Sequence, residues 1–478
     1  MVVMAAVRVR ALDESEVTLQ QADLDGLSAA TRGAIMVDGD AGYDTSRRIW
    51  NGMIDRRPGL VVRCVGAADV KACVDFGRER GLQVCIRGGG HNISGLAVAD
   101  GAMMLDMTHM KGVHVDVENR VAHCQAGCTL GDVDRETQLH GLAAVLGFVS
   151  NTGITGLTLG GGFGYLTRRY GWTSDNVRSF EIVTADGDLH RVSERNLPDL
   201  FWGLRGGGGN FGVVTQIEYD LHLVGPEIYG GAIAWKYEDA AEVLQMYREL
   251  NAAAPPEQVL VGAIRPAPPA PWLPPEVHGK LIVMIFVCDT GPIEEAEKRA
   301  AAIKSFGSPV GDVIMRRPYA SQQSLLDATQ PDGRRYYWKS EYMPGVESGF
   351  IDVLIEQAAK IESPHSAMLI FPLHGVLSDL PEDHSAVGNR ATATVFNLAG
   401  AWDDPSEDEL HIGWTREAHR ALKAYSTGGT YINFLTEEEG ADRIHDAYGA
   451  NYARLVEIKS KYDPENFFRN NKNISPRA

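Results

Sequence analysis

The sequence predicts a multidomain α+β fold, and three observations carry that prediction. The chain has 478 residues, of which 44 % are hydrophobic, enough to bury more than one core. Its first half alternates short apolar runs with helical patterns and carries several glycine-rich segments. Its second half continues the alternation of strand and helix around a proline-rich stretch, residues 265–276, which we expect to be a surface loop.

The N-terminal part predicts helix followed by a small βαβ unit. Residues 1–45 are polar, and we expect them to be helical. An apolar run at Leu60–Cys64, a helical stretch at Ala67–Gly81 and a second apolar run at Val84–Ile86 then follow in order. The run RGGGH (87–91) comes directly after the second predicted strand.

Later patterns predict further strands and helices. The strand patterns lie at Val177–Thr184, Val213–Leu221, Lys280–Val287 and Met368–Phe371. The helical patterns lie at Ile293–Phe306, Glu407–Tyr425 and Ala441–Lys461, and we expect the last to be one amphipathic helix that stops at Asp463–Pro464.

Charge and cysteine content narrow the class of protein. The formal net charge of −18 repels phosphate backbones and anionic lipid, which argues against nucleic acid and membrane partners. No apolar run approaches the roughly 20 residues needed to cross a bilayer, and the N-terminus lacks the pattern of a signal peptide. The six cysteines form no CxxC pair and no zinc spacing, so we expect buried free thiols, no metal site and a cytoplasmic location.

Three glycine clusters, at 88–90, 160–164 and 206–209, point to a phosphate-bearing ligand. Consecutive backbone N–H groups in such turns form concave anion sites, and glycine allows the close approach they need. Gly207, Gly209 and Gly212 match the GxGxxG fingerprint, but a strand pattern follows where that fingerprint requires a helix. We therefore expect tight turns there. His91, directly after the first cluster, is predicted to lie beside the ligand.

Five motifs occur in the order of a known family. They are RGGGHNISG (87–95), GFVSNTGITGLTLGGGFG (147–164), FWGLRGGGGNFGVVT (201–215), TYINF (430–434) and DPENFFRNNKNI (463–474). They resemble the berberine bridge enzyme-like branch of the vanillyl-alcohol-oxidase flavoprotein superfamily. The resemblance implies an FAD-binding fold of the PCMH type in two α+β domains, with a substrate domain of antiparallel sheet covered by helices on one side.

The same resemblance implies a covalent bond between His91 and the flavin 8α-methyl group. Many members add a second link from a cysteine eleven residues before the GGG run, but this chain has Val149 there. We therefore expect a single histidyl link, with a somewhat lower flavin potential. The other residues that the resemblance places at the FAD are Arg87, Gly88, Gly89, Gly90, Asn92, Gly95, Thr152, Gly153, Gly156, Leu157, Gly160, Gly212, Val214, Asn471 and Asn473.

Tyr431 is the candidate catalytic residue, because it matches a tyrosine that lines the active site in similar enzymes. A tyrosine has a pKa of about 10, so the role of base needs help from its surroundings. The alternative is a strand aromatic packed under the tail. Weaker substrate-binding candidates are Tyr336, Trp338, Lys339 and His374, the last of which could equally cap a turn.

The resemblance implies domains at 1–222 (FAD-binding), 223–436 (substrate-binding) and 437–478, a C-terminal segment returning to the FAD domain. The expected function is an FAD-dependent oxidase that takes hydride from a hydroxyl-bearing secondary metabolite, sugar or phenolic and passes the electrons to O2, giving H2O2. The alternatives are a dehydrogenase with another acceptor, a flavin-containing cyclase without net redox, and a non-catalytic flavin-binding protein. The sequence leaves the substrate and the oligomeric state open.

Overall fold

A computed structural model describes residues 6–477, in which the chain forms five sheets and 15 α-helices. The strands are β1 (Val7–Arg10), β2 (Glu16–Leu19), β3 (Ile35–Met36), β4 (Leu60–Arg63), β5 (Val84–Arg87), β6 (Met103–Asp106), β7 (Val113–Asp116), β8 (Val121–Gln125), β9 (Leu142–Ala143), β10 (Val177–Thr184), β11 (Leu189–Ser193), β12 (Gly212–Asp220), β13 (His222–Leu223), β14 (Glu227–Lys236), β15 (Gln258–Pro266), β16 (Leu281–Asp289), β17 (Gly311–Asp312), β18 (Met315–Pro318), β19 (Arg335–Met343), β20 (Ala367–Pro372) and β21 (Thr394–Trp402). The helices are α1 (Gln21–Ala30), α2 (Tyr43–Arg47), α3 (Ala67–Glu79), α4 (Leu130–Thr137), α5 (Ile154–Leu159), α6 (Thr167–Tyr170), α7 (Pro198–Leu204), α8 (Ala240–Ala253), α9 (Ile293–Lys304), α10 (Tyr319–Gln323), α11 (Ser348–Ala358), α12 (Val376–Asp379), α13 (Asp408–Leu422), α14 (Ala441–Tyr448) and α15 (Tyr452–Tyr462).

The prediction that residues 1–45 are helical is wrong for the start of the described chain. Strands β1 and β2 pair antiparallel before α1 begins, and Val7 and Val9 are buried while Arg8 and Arg10 are exposed. That alternation has the period of two that places successive side chains on opposite faces of a strand. Residues 1–5 of the expected helix lie outside the described residues.

The predicted βαβ unit is confirmed. Strands β4 and β5 both run parallel to β6, which lies between them, and α3 forms the crossover. The apolar face of α3, with Val70 and Val74, packs into the core of this sheet. Strand β5 therefore delivers the RGGGH run to the carboxyl end of a parallel sheet, where ligands commonly bind.

A second sheet, of order β11-β10-β12-β8-β7, is antiparallel throughout. Gly212 opens β12, so the GxGxxG match is followed by a strand, which confirms the prediction of tight turns. This sheet and the βαβ sheet together carry all three glycine segments on their connecting loops.

The largest sheet has eight strands, is antiparallel and holds helices on one face, as predicted. Helices α8, α9, α11 and α13 cover that face, where Ile264, Met368 and Leu398 are buried. The alternate residues, among them Ala367 and Ala399, face the glycine segments across a cavity.

The C-terminal tail is not one helix. Helix α14 ends at Tyr448 and is followed by Gly449, which has a positive φ of +53° that glycine adopts readily; α15 starts at Tyr452. Helix α15 packs on α7, with Leu455 and Ile458 buried in the core of the second sheet. The division of the chain into 1–222, 223–436 and 437–478 stays a prediction.

Within residues 6–477, no helix is both long and apolar enough to cross a membrane. The cytoplasmic location stays a prediction. All six cysteines are buried and free, as expected; the closest pair, Cys64 and Cys73, has its sulfur atoms 4.0 Å apart.

Candidate functional site

One large cavity lies between the glycine segments and the face of the eight-stranded sheet opposite α8, α9, α11 and α13. It collects residues far apart in the sequence, from the loop before the βαβ unit to the C-terminal tail. The predicted site residues that line it are Gly88, Gly89, Gly90, His91, Asn92, Val149, Thr152, Gly153, Gly156, Leu157, Gly160, Gly212, Val214, Trp338, Tyr431 and Asn471.

The first glycine cluster meets the motif of residues 147–164 at Gly89 and Gly153. A Cβ atom on Gly89 would lie 2.3 Å from the backbone nitrogen of Gly153, and one on Gly153 would lie 2.4 Å from that of Gly89. Only glycine permits this approach. The two loops therefore form one continuous wall of backbone, along which N–H groups are available to an anionic ligand.

His91 lies on this wall with its ring stacked on Trp50. The ring centroids are 5.1 Å apart and the planes are inclined by 16°. The other face of Trp50 stacks on Tyr336 at 3.8 Å, and the indole Nε1 donates to the carbonyl of Gln330 at 3.2 Å. Burial lowers the pKa of His91 to about 4, so the imidazole is neutral at physiological pH.

Val149 also lines the cavity, whereas none of the six cysteines does. The cavity therefore offers no thiol that could form a thioether with a bound group.

Tyr431 lies beside the cavity and is buried among aromatic rings. It directly precedes a short 3₁₀ turn, Ile432–Phe434, so the alternative of a strand aromatic is wrong. Its hydroxyl oxygen accepts hydrogen bonds from the backbone N–H of Gly162 at 3.0 Å and from Asn433 Nδ2 at 2.9 Å. Asn433 Nδ2 also donates to the carbonyl of Leu157, which fixes the orientation of the amide.

The two donated hydrogen bonds favour the phenolate of Tyr431, but burial outweighs them. Burial raises the pKa of Tyr431 well above its usual value of 10. The phenol is therefore protonated at neutral pH, and its proton is available for a hydrogen bond to a ligand.

Several predicted residues lie outside the cavity lining. The Arg87 side chain turns away and donates to the carbonyls of Thr45 and Ser46. Gly95 has a φ of +70°, and a Cβ there would lie 2.7 Å from Ile54, so its role is to shape the loop. Asn473 is close in sequence to the lining residues but does not itself line the cavity.

Three of the four substrate-binding candidates also point elsewhere. Tyr336 packs behind Trp50, and its hydroxyl donates to the carbonyl of Pro331. Lys339 projects from the opposite face of β19 and pairs with Glu438 at 2.8 Å.

His374 does not line the cavity, and its ring contacts Arg168 and Asn251 instead. Its Nε2 lies 2.8 Å from Arg168 Nη2 and 3.1 Å from the carbonyl of Asn251. Of the four candidates only Trp338 lines the cavity.

The structure adds residues that the sequence did not single out. Trp50, Arg265, His365, Asn397 and Lys472 all line the cavity. For Arg265 the sequence carries a signal, because the apolar run before it predicts a strand, which β15 confirms, although the prolines that follow favour a loop. For Trp50 no local signal exists, because only folding brings it to His91.

The lining fits an anionic, polar cofactor such as FAD. In a chain with 63 Asp and Glu residues, no described acidic residue lines the cavity, whereas Arg265 and Lys472 do. Buried polar atoms at the cavity, including Asn471 Oδ1 and Trp338 Nε1, have no hydrogen-bond partner in the protein. Buried polar groups are normally satisfied, so these atoms mark positions for a polar ligand.

Comparison with known proteins agrees with this geometry. Residues 58–193 match the FAD binding domain family, and residues 430–475 match the "Berberine and berberine like" family. The chain is 31 % identical to (R)-6-hydroxynicotine oxidase of Paenarthrobacter nicotinovorans over 93 % of this chain and 97 % of that protein. It is 30 % identical to an FAD-linked oxidoreductase of Dictyostelium discoideum over 89 % of this chain and 91 % of that protein.

Solved structures show the same architecture. The crystal structure of 6-hydroxy-D-nicotine oxidase from Arthrobacter nicotinovorans superposes with a TM-score of 0.84 at 28 % identity, covering 94 % of this chain and 98 % of that one. Berberine bridge enzyme from Eschscholzia californica shares the fold with a TM-score of 0.85 at 19 % identity, covering 95 % and 99 %. Fold and site thus define an FAD-dependent oxidoreductase. The chain belongs to the berberine bridge enzyme-like family of the vanillyl-alcohol-oxidase superfamily.

Proposed function

We propose that this chain is an oxidase with FAD held by a single covalent bond to His91, acting on a hydroxyl-bearing small molecule and using O2 as acceptor. The observation that carries the proposal is the half-buried, neutral imidazole of His91 on the wall formed by Gly89 and Gly153. A neutral imidazole has the free lone pair that bond formation to a carbon atom requires.

The absence of a lining cysteine supports one link rather than two. Val149 has the position that the resemblance gives to the second tether, and a valine side chain forms no thioether. Trp50 supports the histidyl link, because a stacked ring limits the orientations that the imidazole can take.

Bound FAD supplies hydride acceptance from a carbon atom and electron transfer to O2. The protein orients the substrate. We assign to the phenol of Tyr431 the task of holding the substrate hydroxyl by a hydrogen bond, since its proton has no acceptor among the described residues. This hydrogen-bonding role replaces the role of catalytic base considered for Tyr431 from the sequence. A base would have to be a phenolate before the substrate binds, and burial disfavours the phenolate.

The aromatic surround keeps water away from this position. Phe163, Trp172 and Phe434 have ring centroids within 5.8 Å of that of Tyr431. Exclusion of water strengthens each hydrogen bond made to the substrate.

Acid precipitation tests the covalent link. Protein purified with its yellow colour is precipitated with acid, and flavin is measured in pellet and supernatant. We expect the colour in the pellet for the wild type and in the supernatant for His91→Ala. Wild-type colour in the supernatant would refute the link but leave FAD binding in place.

The electron acceptor needs its own measurement. The flavin is reduced chemically without air and then mixed with buffer containing O2, while its absorbance is followed. Reoxidation within seconds, with release of H2O2, is the expected result. Reoxidation over many minutes would favour the dehydrogenase, and product formation without any flavin reduction would favour the cyclase.

A further inference from the structure

We propose that the substrate carries a carboxylate, which Arg265 binds at the end of the cavity formed by the eight-stranded sheet. This rests on the proposed function, since it concerns the substrate of the same cavity. The argument starts from where Arg265 lies and from what its guanidinium contacts.

Arg265 is 8 % exposed and lines the cavity, yet no carboxylate of the described residues pairs with it. Its Nε donates to the carbonyl of Pro266 at 3.1 Å, and one terminal nitrogen, Nη2, lies 3.5 Å from the carbonyl of Pro364. The other terminal nitrogen, Nη1, makes no hydrogen bond to the described residues. Burying a cation without a counter-ion is costly, so a retained one indicates that its partner comes from outside the chain.

Other buried arginines of this chain show what a structural guanidinium looks like here. Arg390 is paired with Asp175 through two hydrogen bonds of 2.9 and 2.7 Å. Arg168 lacks an acidic partner, but it donates to the carbonyls of Gln258 and Ala254, and it does not line the cavity. Arg265 differs from both arginines in two respects: its side chain lines the cavity, and its Nη1 makes no hydrogen bond to the described residues.

The register of the sheet builds a slot beside Arg265. Ile264 pairs with Met368, which places Arg265 next to Ala367; Ala367 pairs with Ala399, and Ala399 pairs with Trp338. One row across four strands therefore runs from Arg265 over two alanines to Trp338. With strands about 4.8 Å apart, the two ends are separated by roughly 14 Å, long enough for a flat ring with a carboxylate.

The walls of this slot supply further polar atoms. Asn397 pairs with Leu369 in the next row, and its Oδ1 is buried without a hydrogen-bond partner. Trp338 Nε1 is likewise buried and unpartnered. A planar substrate lying on Ala367 and Ala399 would meet a cation at one end and uncharged hydrogen-bonding groups beside it.

Arg265 carries the positive charge at this end of the cavity. Burial lowers its pKa only to about 10, so the guanidinium stays charged at neutral pH. His365, which lines the same end, has its pKa lowered by burial and its Nε2 bonded to Asp403 at 2.9 Å. An arginine fork binds a carboxylate through two parallel hydrogen bonds. Here Nη1 and the second N–H of Nη2, whose first N–H faces the carbonyl of Pro364, are left to make them.

Calorimetric titration with benzoate and with benzamide tests the proposal, because the two probes match in shape and differ in charge. We expect the wild-type holoprotein to bind benzoate at least tenfold more tightly than benzamide. Arg265→Met should weaken benzoate binding roughly 10- to 100-fold, and Arg265→Lys should recover part of it. The matched control is Arg316→Met, at an exposed arginine on edge strand β18 of the same sheet, which should leave benzoate binding within twofold.

Equal affinity for the two probes, or no binding of either, overturns the carboxylate assignment, as does unchanged benzoate binding in Arg265→Met. The heat signal does not depend on flavin, and flavin content is read separately from absorbance. Yellow protein without benzoate preference therefore refutes this inference alone, whereas colourless protein refutes the proposed function.

Discussion

The indole of Trp50 lies between the imidazole of His91 and the phenol of Tyr336, stacked on both, with 5.1 Å to the first ring centroid and 3.8 Å to the second. Tyr336 belongs to β19 of the eight-stranded sheet, and His91 follows β5 of the βαβ unit. The stack therefore joins the two parts of the protein at the proposed flavin attachment point.

Removing the indole should impair flavin attachment. In Trp50→Ala, His91 loses the ring that holds its plane, and we expect the acid-insoluble flavin fraction to fall by at least half. Trp50→Phe keeps a stacking ring and should retain most of it. Flavin in the acid pellet, relative to total flavin, is the measurement. Full attachment in Trp50→Ala would show that His91 is oriented without the stack.

Attachment should be insensitive to mild acid. The pKa of His91 is lowered from 6.5 to about 4, so the imidazole stays unprotonated, and able to form the bond, throughout pH 5.5–7.5. Flavin-free protein mixed with FAD should gain acid-insoluble flavin at the same rate at pH 5.5 and 7.5. With an imidazole of ordinary pKa, flavin attachment would be roughly tenfold slower at pH 5.5 than at pH 7.5. A decrease of that size would contradict the argument that burial lowers the pKa of His91.

Tyr431→Phe should lower kcat at least 100-fold while leaving the flavin spectrum unchanged, because only the hydroxyl is lost from the aromatic cluster. Between pH 7 and 9 the wild-type rate should be flat if the protonated phenol acts, and should rise with pH if the phenolate does, since burial raises the pKa of Tyr431. Steady-state kinetics with any accepted substrate measures both.

Tyr342→Phe is the matched control for this substitution. Tyr342 is equally buried but does not line the cavity, so kcat should stay within twofold. A Tyr431→Phe rate equal to that of this control would remove Tyr431 from the mechanism.

The C-terminal tail depends on a buried ion pair. Lys459 is fully buried and donates to Asp463 at 2.6 Å, to the carbonyl of Asn210 at 2.8 Å and to that of Phe468 at 2.9 Å. Lys459→Met leaves Asp463 charged and unpaired, and should lower the free energy of unfolding by about 3–5 kcal/mol.

A control lies two residues away on the same helix. Lys461 is exposed and pairs with Asp199 at the surface, so Lys461→Met should cost about 1 kcal/mol or less. Urea unfolding followed by tryptophan fluorescence measures both variants. Equal midpoints would mean that the tail is held by apolar packing alone.

The local patterns of the sequence predicted much of the secondary structure, because burial on one face imposes a period on the chain. The βαβ unit, β10, β16 and α9 were predicted within a few residues. The N-terminal strands and the break at Gly449 were missed: β1 and β2 are too short for a strong period, and a single glycine with a positive φ interrupts an otherwise helical pattern.

The sequence by itself determined the family, the glycine wall, His91 and the valine where a second tether would lie, because each is a local motif whose chemistry depends on residue type and short spacing. The tertiary structure decided which side chains share the cavity. Strand alternation turned Trp338 inward and Lys339 outward, antiparallel register set Arg265 beside Ala367, and folding brought Trp50 onto His91. These are contacts between segments far apart along the chain, and local periodicity carries no information about them.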